Sequence, residues 1–334
     1  MKKLAPILFL LLTLTGCGKK EIYGQILSIE MNETHTKLTF LGQDQTIFVD
    51  EKTHVYSFSD EIPYEKLLDG ELQEPRIRAH DFSFRNGKPV ADYICVESIL
   101  LPDPYVLADG TELNIRKNHL HTAYETMDGI MLLWETDPVG PANVHGGGAP
   151  SLDTLNTKAQ EAITAYYEEQ GLLYDLDGEL EAAWQAYLAS ENKPMFSCHH
   201  LSQDTFPSAA NEKIIGFTTI LALPIDGNHM KEYRYSQIFD RNTGKRIDIV
   251  DLFRCPEDQI ATAILTAADL NDSNLFREIT DHFRPEFLVF GPSALELWFP
   301  RNTTDGQEEN HIICAEYKNL TDILYPWAIP DPIE

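Results

Sequence analysis

His119 and His121 stand two residues apart in a stretch with strand character, so both imidazoles project from one face and could serve one metal ion. No third ligand at metal-site spacing accompanies them. His199 and His200 are neighbours on a strand, point to opposite faces and do not chelate together. His145-Gly146-Gly147-Gly148 has the composition of a loop that donates backbone N–H groups to the negative charge of acyl transfer. An esterase of that design also needs a nucleophile in G-x-S-x-G, and Gly291-Pro292-Ser293 lacks the second glycine. Asp175-Leu176-Asp177-Gly178 matches half of a calcium loop, but Ala186 occupies the acidic twelfth position, so Asp177 is better explained as a helix cap. These patterns identify no catalytic residue, no metal ligand set and no cofactor site. The expectation is a protein that is not an enzyme and takes no cofactor.

Cys17 is where the chemistry is readable. Before it stand Lys2 and Lys3, an apolar run over 4–14, and then Leu14-Thr15-Gly16-Cys17. A membrane-spanning helix needs about 20 apolar residues, and this run is far shorter. A positive start followed by a short apolar core is an export signal. Its last four residues resemble the lipobox of bacterial lipoprotein precursors. That resemblance implies cleavage before Cys17, lipidation of the Cys17 sulfur, and a chain held on the outer face of a bacterial membrane. Residues 1–16 are then the signal peptide and 17–21 the anchor linker. Each buried methylene of an acyl chain adds ~0.8 kcal/mol, so two or more chains anchor the protein stably.

Four cysteines remain: Cys95, Cys198, Cys255 and Cys314. An even number in an oxidising compartment permits two disulfides in three pairings, and four free buried thiols are the alternative. None lies in a C-x-x-C pair, which speaks against a structural zinc site or a thioredoxin-like redox motif.

The 334-residue chain is long enough for about two domains. With 43% hydrophobic residues it can bury a sizeable core. Its 26 Lys+Arg stand against 53 Asp+Glu, a net charge of -27. Nucleic acid and anionic headgroups are poor partners for such a surface, whereas a cationic protein, a peptide or a metal ion suits it. Solubility alone is the plainer reason for the acidity.

Short alternating strands fill residues 22–101, with turn residues between them, and predict a small closed β-barrel. The rhythm of YGQILSIE, TKLTFLG, TIFVDEKTHVYSF, YEKLLDGELQEPRIRA and GKPVADYICVESI is similar to small OB-like domains of exported bacterial proteins. Leu101-Pro102-Asp103-Pro104 marks a boundary. Residues 105–194 then hold two hairpins and two helices. Asp109-Gly110 and Asp128-Gly129 predict tight turns with both residues at positive φ. Pro138 to Pro150 is a Pro/Gly-rich loop. Ser151 or Asp153 is placed to cap the first helix, with Leu155, Ala159, Ala162, Ile163 and Tyr166 on its packed face and Gly171 as its stop. The second helix buries Leu180, Ala183, Trp184, Tyr187 and Leu188. Strands over 214–223, 232–239 and 245–250, helices from Pro256 and over 275–283, and strands at 287–290, 295–299 and 312–317 follow. The fold class expected is α+β: an N-terminal OB-like barrel, then an antiparallel sheet packed with several helices.

The last stretch resembles an extracellular domain of unknown function shared by the lysozyme-sensing anti-sigma factor RsiV and the peptidoglycan deacetylase PdaC. The matching residues are YRYSQIFDRNTGKRIDIVDLF, with Asp240, Thr243, Gly244 and Lys245 in a D-x-x-T-G-K turn and Asp251, Leu252 and Phe253 in a D-L-F. FLVFGPSALELWFP and AEYKNLTDIL complete the match, Tyr317 and Leu320 standing at Y-x-x-L positions. The resemblance implies an RsiV/PdaC-type α+β domain over 195–326, with architectural roles for these residues and Asp251 starting a helix. The deacetylase's catalytic domain and the anti-sigma factor's membrane helix have no counterpart, so neither activity carries over.

Two functions follow as expectations. One is a lipid-anchored extracytoplasmic binding or sensing protein of the bacterial envelope, engaging a cationic protein or a cell-wall component. The other is a structural or accessory lipoprotein of an envelope complex, without a soluble ligand. The oligomeric state is left open.

Overall fold

The computed structural model describes residues 21–57, 60–141, 150–303 and 307–332. Cys17 with its export signal, and the His145-Gly146-Gly147-Gly148 segment, lie outside these residues. The chain divides into two compact units. The first takes the described residues up to Tyr105 together with Glu112–Leu120, and the second takes Val106–Thr111 and the residues from His121 onward.

The first unit is built from β1 (Ile22–Met31), β2 (Thr36–Phe40), β3 (Thr46–Val49), β4 (His54–Ser57), β5 (Asp60–Ile62), β6 (Arg76–Arg85) and β7 (Lys88–Leu100). Five of them close in the order β1-β2-β3-β7-β6 and back to β1, with β3 and β7 parallel at Phe48↔Val90. Period-two alternation makes this work, because Leu38, Phe40, Ile47, Val49, Ile77 and Ile94 all point inward and are almost fully buried. A residue such as Phe40 stabilises the barrel by ~1.5–3 kcal/mol through its burial. β4 runs parallel to β7 with Val55 opposite Ile94, and β5 folds back on it. The two-residue β8 (Tyr105–Val106) spans the change of unit, and β9 (Glu112–Lys117) returns to the first unit, pairing with β7 at Leu100↔Arg116.

The second unit begins with β10 (His121–Glu125) and β11 (Met131–Thr136), then α1 (Thr157–Gln170) and α2 (Leu176–Ala189). Next come β12 (His199–Ala210), β13 (Ile214–Pro224), β14 (Met230–Asp240) and β15 (Arg246–Ile247). The chain continues through α3 (Glu257–Ala267) and α4 (Ser273–His282) to a separate three-stranded sheet of β16 (Leu288–Phe290), β17 (Ala294–Phe299) and β18 (His311–Glu316). Within this unit the large sheet runs β15-β14-β13-β12-β11-β10. One face carries Ile215, Phe217 and Phe239 against α1. The other carries Ile214 and Ile238 against a cluster that includes Ile260, Ile264, Phe290 and Phe299.

Several expectations need correction. The sheet is mixed, because β11 and β12 pair in parallel with Leu133 opposite His199. Both helices lie between these strands in sequence, and such a crossover brings the chain back to the starting end of the sheet. α1 is capped by Asn156, whose side chain accepts from the Ala159 amide, while Ser151 and Asp153 sit at a separate 3-10 turn over Leu152–Thr154. α2 starts two residues earlier than expected, which puts Asp175 at the N-cap and Asp177 inside the first turn. Asp248, not Asp251, opens the short 3-10 turn before Phe253, its carboxylate accepting from the Val250 amide. At both Asp-Gly hairpins only the glycine has positive φ: Gly129 at +80° and Gly110 at +85°. Thr126 N–H donates to Ile130 O and Gly129 N–H to Thr126 O, so each loop is three residues ending in a left-handed glycine.

The D-x-x-T-G-K turn is the joint of this unit. One oxygen of Asp240 accepts from the Asn242 amide (3.1 Å), the Thr243 amide (2.8 Å) and the Thr243 hydroxyl (2.8 Å). Desolvation works against that carboxylate's charge, but these hydrogen bonds outweigh it and hold the Asp240 carboxyl below its ordinary range. Gly244 follows at φ +68°, where an added Cβ would stand 2.6 Å from the Ala159 carbonyl oxygen of α1. Asn156 closes the joint by donating its side-chain amide to Asn242 O at 2.9 Å.

Gly244→Ala therefore combines a left-handed backbone with a clash against helix backbone, and should cost about 3 kcal/mol. Gly129→Ala meets the same φ penalty with nothing within 4 Å, and should cost about 1 kcal/mol. Urea denaturation of the two variants checks the ordering, and equal losses would show that Gly244 serves the turn alone.

Candidate functional site

Beside the face that buries Ala159 and Ile163, α1 carries a second stripe whose Tyr167 still packs edge-on against Phe217. Thr164, Tyr167, Glu168 and Gly171 recur at helical spacing along it. They line a pocket of about 390 Å³ with Leu172, with Gln203 and Thr205 of β12, and with 138–141 opposite.

Each wall is fixed by hydrogen bonds made within this unit. Val139 is held to β12 on both sides, its N–H donating to Gln203 O (3.2 Å) and its O accepting from Thr205 N–H (2.8 Å). Gln203 is buried and does two jobs at the chain reversal after α1: its NH₂ donates to Gly171 O (3.1 Å) and its carbonyl accepts from Leu173 N–H (2.7 Å). Gly171 caps α1 at φ 62°, with its own N–H on Tyr167 O. The next residue but two, Tyr174, donates its hydroxyl to the buried Glu135 at 2.6 Å, and Tyr124 donates to the other oxygen at 3.2 Å. Burial, and then the bond to Glu135, push the Tyr174 phenol well above its usual range, so it remains a donor.

The interior of the pocket is chemically mixed. Pro138, Val139, Pro141 and Leu172 give apolar walls, and Thr164, Tyr167 and Thr205 bring hydroxyls. Thr205 shares a 2.8 Å hydrogen bond with Thr219 on β13. Burial drives the Tyr167 phenol far above its ordinary range and keeps it protonated. A preformed hollow of this size, with apolar walls and a few placed polar groups, is the usual architecture of a binding site.

A larger hollow of about 570 Å³ lies at one end of the barrel in the first unit, lined by Glu33, His35, Asp50, Lys52, Tyr64 and Arg85 among others. Its Arg85 is already engaged, with Asp50 and Asp92 each 3.0 Å from its guanidinium.

The residues singled out from the sequence do not meet at either hollow. His119 belongs to the first unit and His121 to the second, where its ring tilts against Trp134 at 4.8 Å. His199 is buried beside Phe196, and desolvation lowers its pKa; His200 is exposed, its Nε2 3.4 Å from the Cys198 sulfur. Among the described residues no group of three or more His, Cys, Asp or Glu could hold a metal ion. Cys95, Cys198, Cys255 and Cys314 are all free thiols, each with its pKa raised first by burial. Gly291 and Tyr317 are structural partners: the Tyr317 hydroxyl donates to Gly291 O at 2.9 Å in the core. The pocket stripe escaped the sequence reading because Tyr166 fits the packed face of α1 and Tyr167 was not separated from it. Tyr166 and Tyr167 both pack on Phe239, so the pair gave no local signal of a pocket.

No family model matches the chain, and no curated protein matches it. Among solved structures it is similar to a DUF3298 family protein from Pseudomonas aeruginosa PAO1, at 15% identity and a TM-score of 0.27 over 52% of this chain and 79% of that one. It is also similar to a DUF3298 family member from Bacteroides fragilis NCTC 9343, at 9% identity and a TM-score of 0.34 over 69% of this chain and 92% of that one. Among the described residues no helix is long and apolar enough to cross a membrane.

Gln203→Leu should keep the bulk of the side chain while stranding Gly171 O and Leu173 N–H. The expected cost is about 2 kcal/mol in urea denaturation. Faster hydrogen exchange at Leu173 should accompany it, and unchanged exchange there would show that the reversal is held by something else.

Proposed function

We propose that the chain is a lipid-anchored binding or sensing protein of the bacterial envelope, held on the outer face of a membrane through Cys17, whose second unit engages a cationic protein or a cell-wall component. The observation that carries the binding reading is the pocket beside α1, whose walls are pinned in advance by Gln203 and Val139. A site ordered before its ligand arrives loses little entropy on binding. Its lining of hydroxyls, one amide, one carboxylate and prolines suits holding a ligand more than turning one over. The net charge of -27 favours a basic partner. In the first unit, the closed order β1-β2-β3-β7-β6 with β3 and β7 parallel supports an OB-type barrel.

The anchor is tested by Cys17→Ala, which should move the protein from the membrane fraction to a soluble or unprocessed form. Unchanged, detergent-dependent membrane association would remove the anchor from the proposal. The partner class is tested by calorimetry of the detergent-solubilised chain with lysozyme and with an unrelated basic protein of similar size. Affinity for a true partner should fall about tenfold or more from low to physiological salt, where exposed charges are screened over about 8 Å. It should also exceed affinity for the control. Equal binding of both proteins, or of neither, favours the accessory-lipoprotein reading.

A further inference from the structure

The C-terminal end of a helix carries roughly half a negative charge, and cationic side chains are the usual complement there. α1 breaks that pattern. Its last turn holds Glu168 and Glu169 and no basic residue. The two carboxylates are not equivalent, because Glu168 lines the pocket and Glu169 does not. Among the described residues no Lys, Arg or His lines it either. The pocket therefore joins three sources of negative potential, the Glu168 carboxylate, the closing carbonyls of α1 and the hydroxyl oxygens of Thr164 and Thr205, to an apolar wall of Pro138, Val139 and Leu172.

A cation alone would make no use of the apolar wall, and an apolar ligand would leave the carboxylate unmatched. We propose that the pocket seats a lysine side chain of a basic polypeptide partner. Its alkyl stem lies along Pro138, Val139 and Leu172, and its ammonium meets Glu168 and the end of α1. An ammonium is a compact charge with three freely rotating donors, which fits separate oxygen acceptors better than a planar guanidinium does. This rests on the cationic-partner reading above and gives it a place and a residue.

The test is calorimetry of the detergent-solubilised full chain with acetyl-Lys-Lys-Lys-amide, and with the same tripeptide acetylated on its three side-chain amines. The free tripeptide should bind and the acetylated one should not. Glu168→Gln should weaken binding about tenfold, and Glu169→Gln, which removes the same charge outside the pocket, less than about twofold. Thr164→Phe, which fills the hollow and keeps every charge, should lose binding as Glu168→Gln does. Should Thr164→Phe fail to fold by circular dichroism, Glu168→Lys supplies the block from the exposed rim. Equal losses in Glu168→Gln and Glu169→Gln would reduce the effect to general acidity and overturn the proposal, as would full binding with the pocket blocked. Cadaverine, which has the stem and the cation without a backbone, must bind more weakly than the tripeptide; tighter binding would reassign the pocket to free amines. A basic protein that binds wild type and both pocket variants alike would overturn the lysine seat while leaving the cationic-partner reading intact. A tripeptide that binds as expected, with no basic protein binding, would reverse that outcome.

Discussion

No side chain fits between Gly244 and the backbone of α1, and the second unit depends on that near contact. The turn from Asp240 places Gly244 against Ala159 O, and Asn156 ties the start of the helix back to Asn242. With its first turns fixed there, α1 covers Phe217 and Phe239, both buried completely. Its remaining length must then stand over β12, where Gln203 and Thr205 meet its second stripe. The pocket lies beside that packing: Tyr167 meets Phe217 with its ring and also lines the hollow, where the chain reverses after α1. The turn residues are architectural, and the pocket lies at the opposite end of the helix.

Several arginines are taken up by acidic and aromatic neighbours. Arg234 stacks on Trp298 at 3.9 Å and meets Glu232 at 2.8 Å and Glu296 at 3.5 Å. Arg78 meets Glu97 at 2.8 Å, and Arg85 bridges two aspartates. The partly exposed Arg78–Glu97 pair contributes little to stability. Together these three arginines engage five carboxylates, whereas the exposed Glu168 has no basic residue beside it in the last turn of its own helix.

What could be read from residues alone was what local chemistry dictates. Alternation located the barrel strands, the two Asp-Gly pairs located the hairpins, and Gly171 and Pro256 marked helix ends at Gly171 and Glu257. Finer geometry was not local. The turn type at Gly129 depends on how Thr126 and Ile130 pair, and the cap of α1 fell to Asn156 because Leu152 and Leu155 are drawn into the core before the helix begins. The parallel pairing of β11 with β12 has no sequence signature, since either orientation buries the same residues. The pocket was illegible for a similar reason: 138–141, α1 and β12 are far apart in sequence, and none carries a motif. Cys17 had the clearest sequence signal in the chain.

The parallel pair β11–β12 also sets a timetable. A hairpin such as β10–β11 can close as soon as its second strand leaves the ribosome, but β11 presents its other edge with no partner until all of α1 and α2 has emerged. Leu132 and Leu133, which end fully buried, are exposed through that interval, and so is an open row of strand hydrogen-bonding groups. The most vulnerable species in the life of this protein is therefore a nascent chain that stops between Thr136 and His199. That intermediate is the one a holding chaperone would have to recognise.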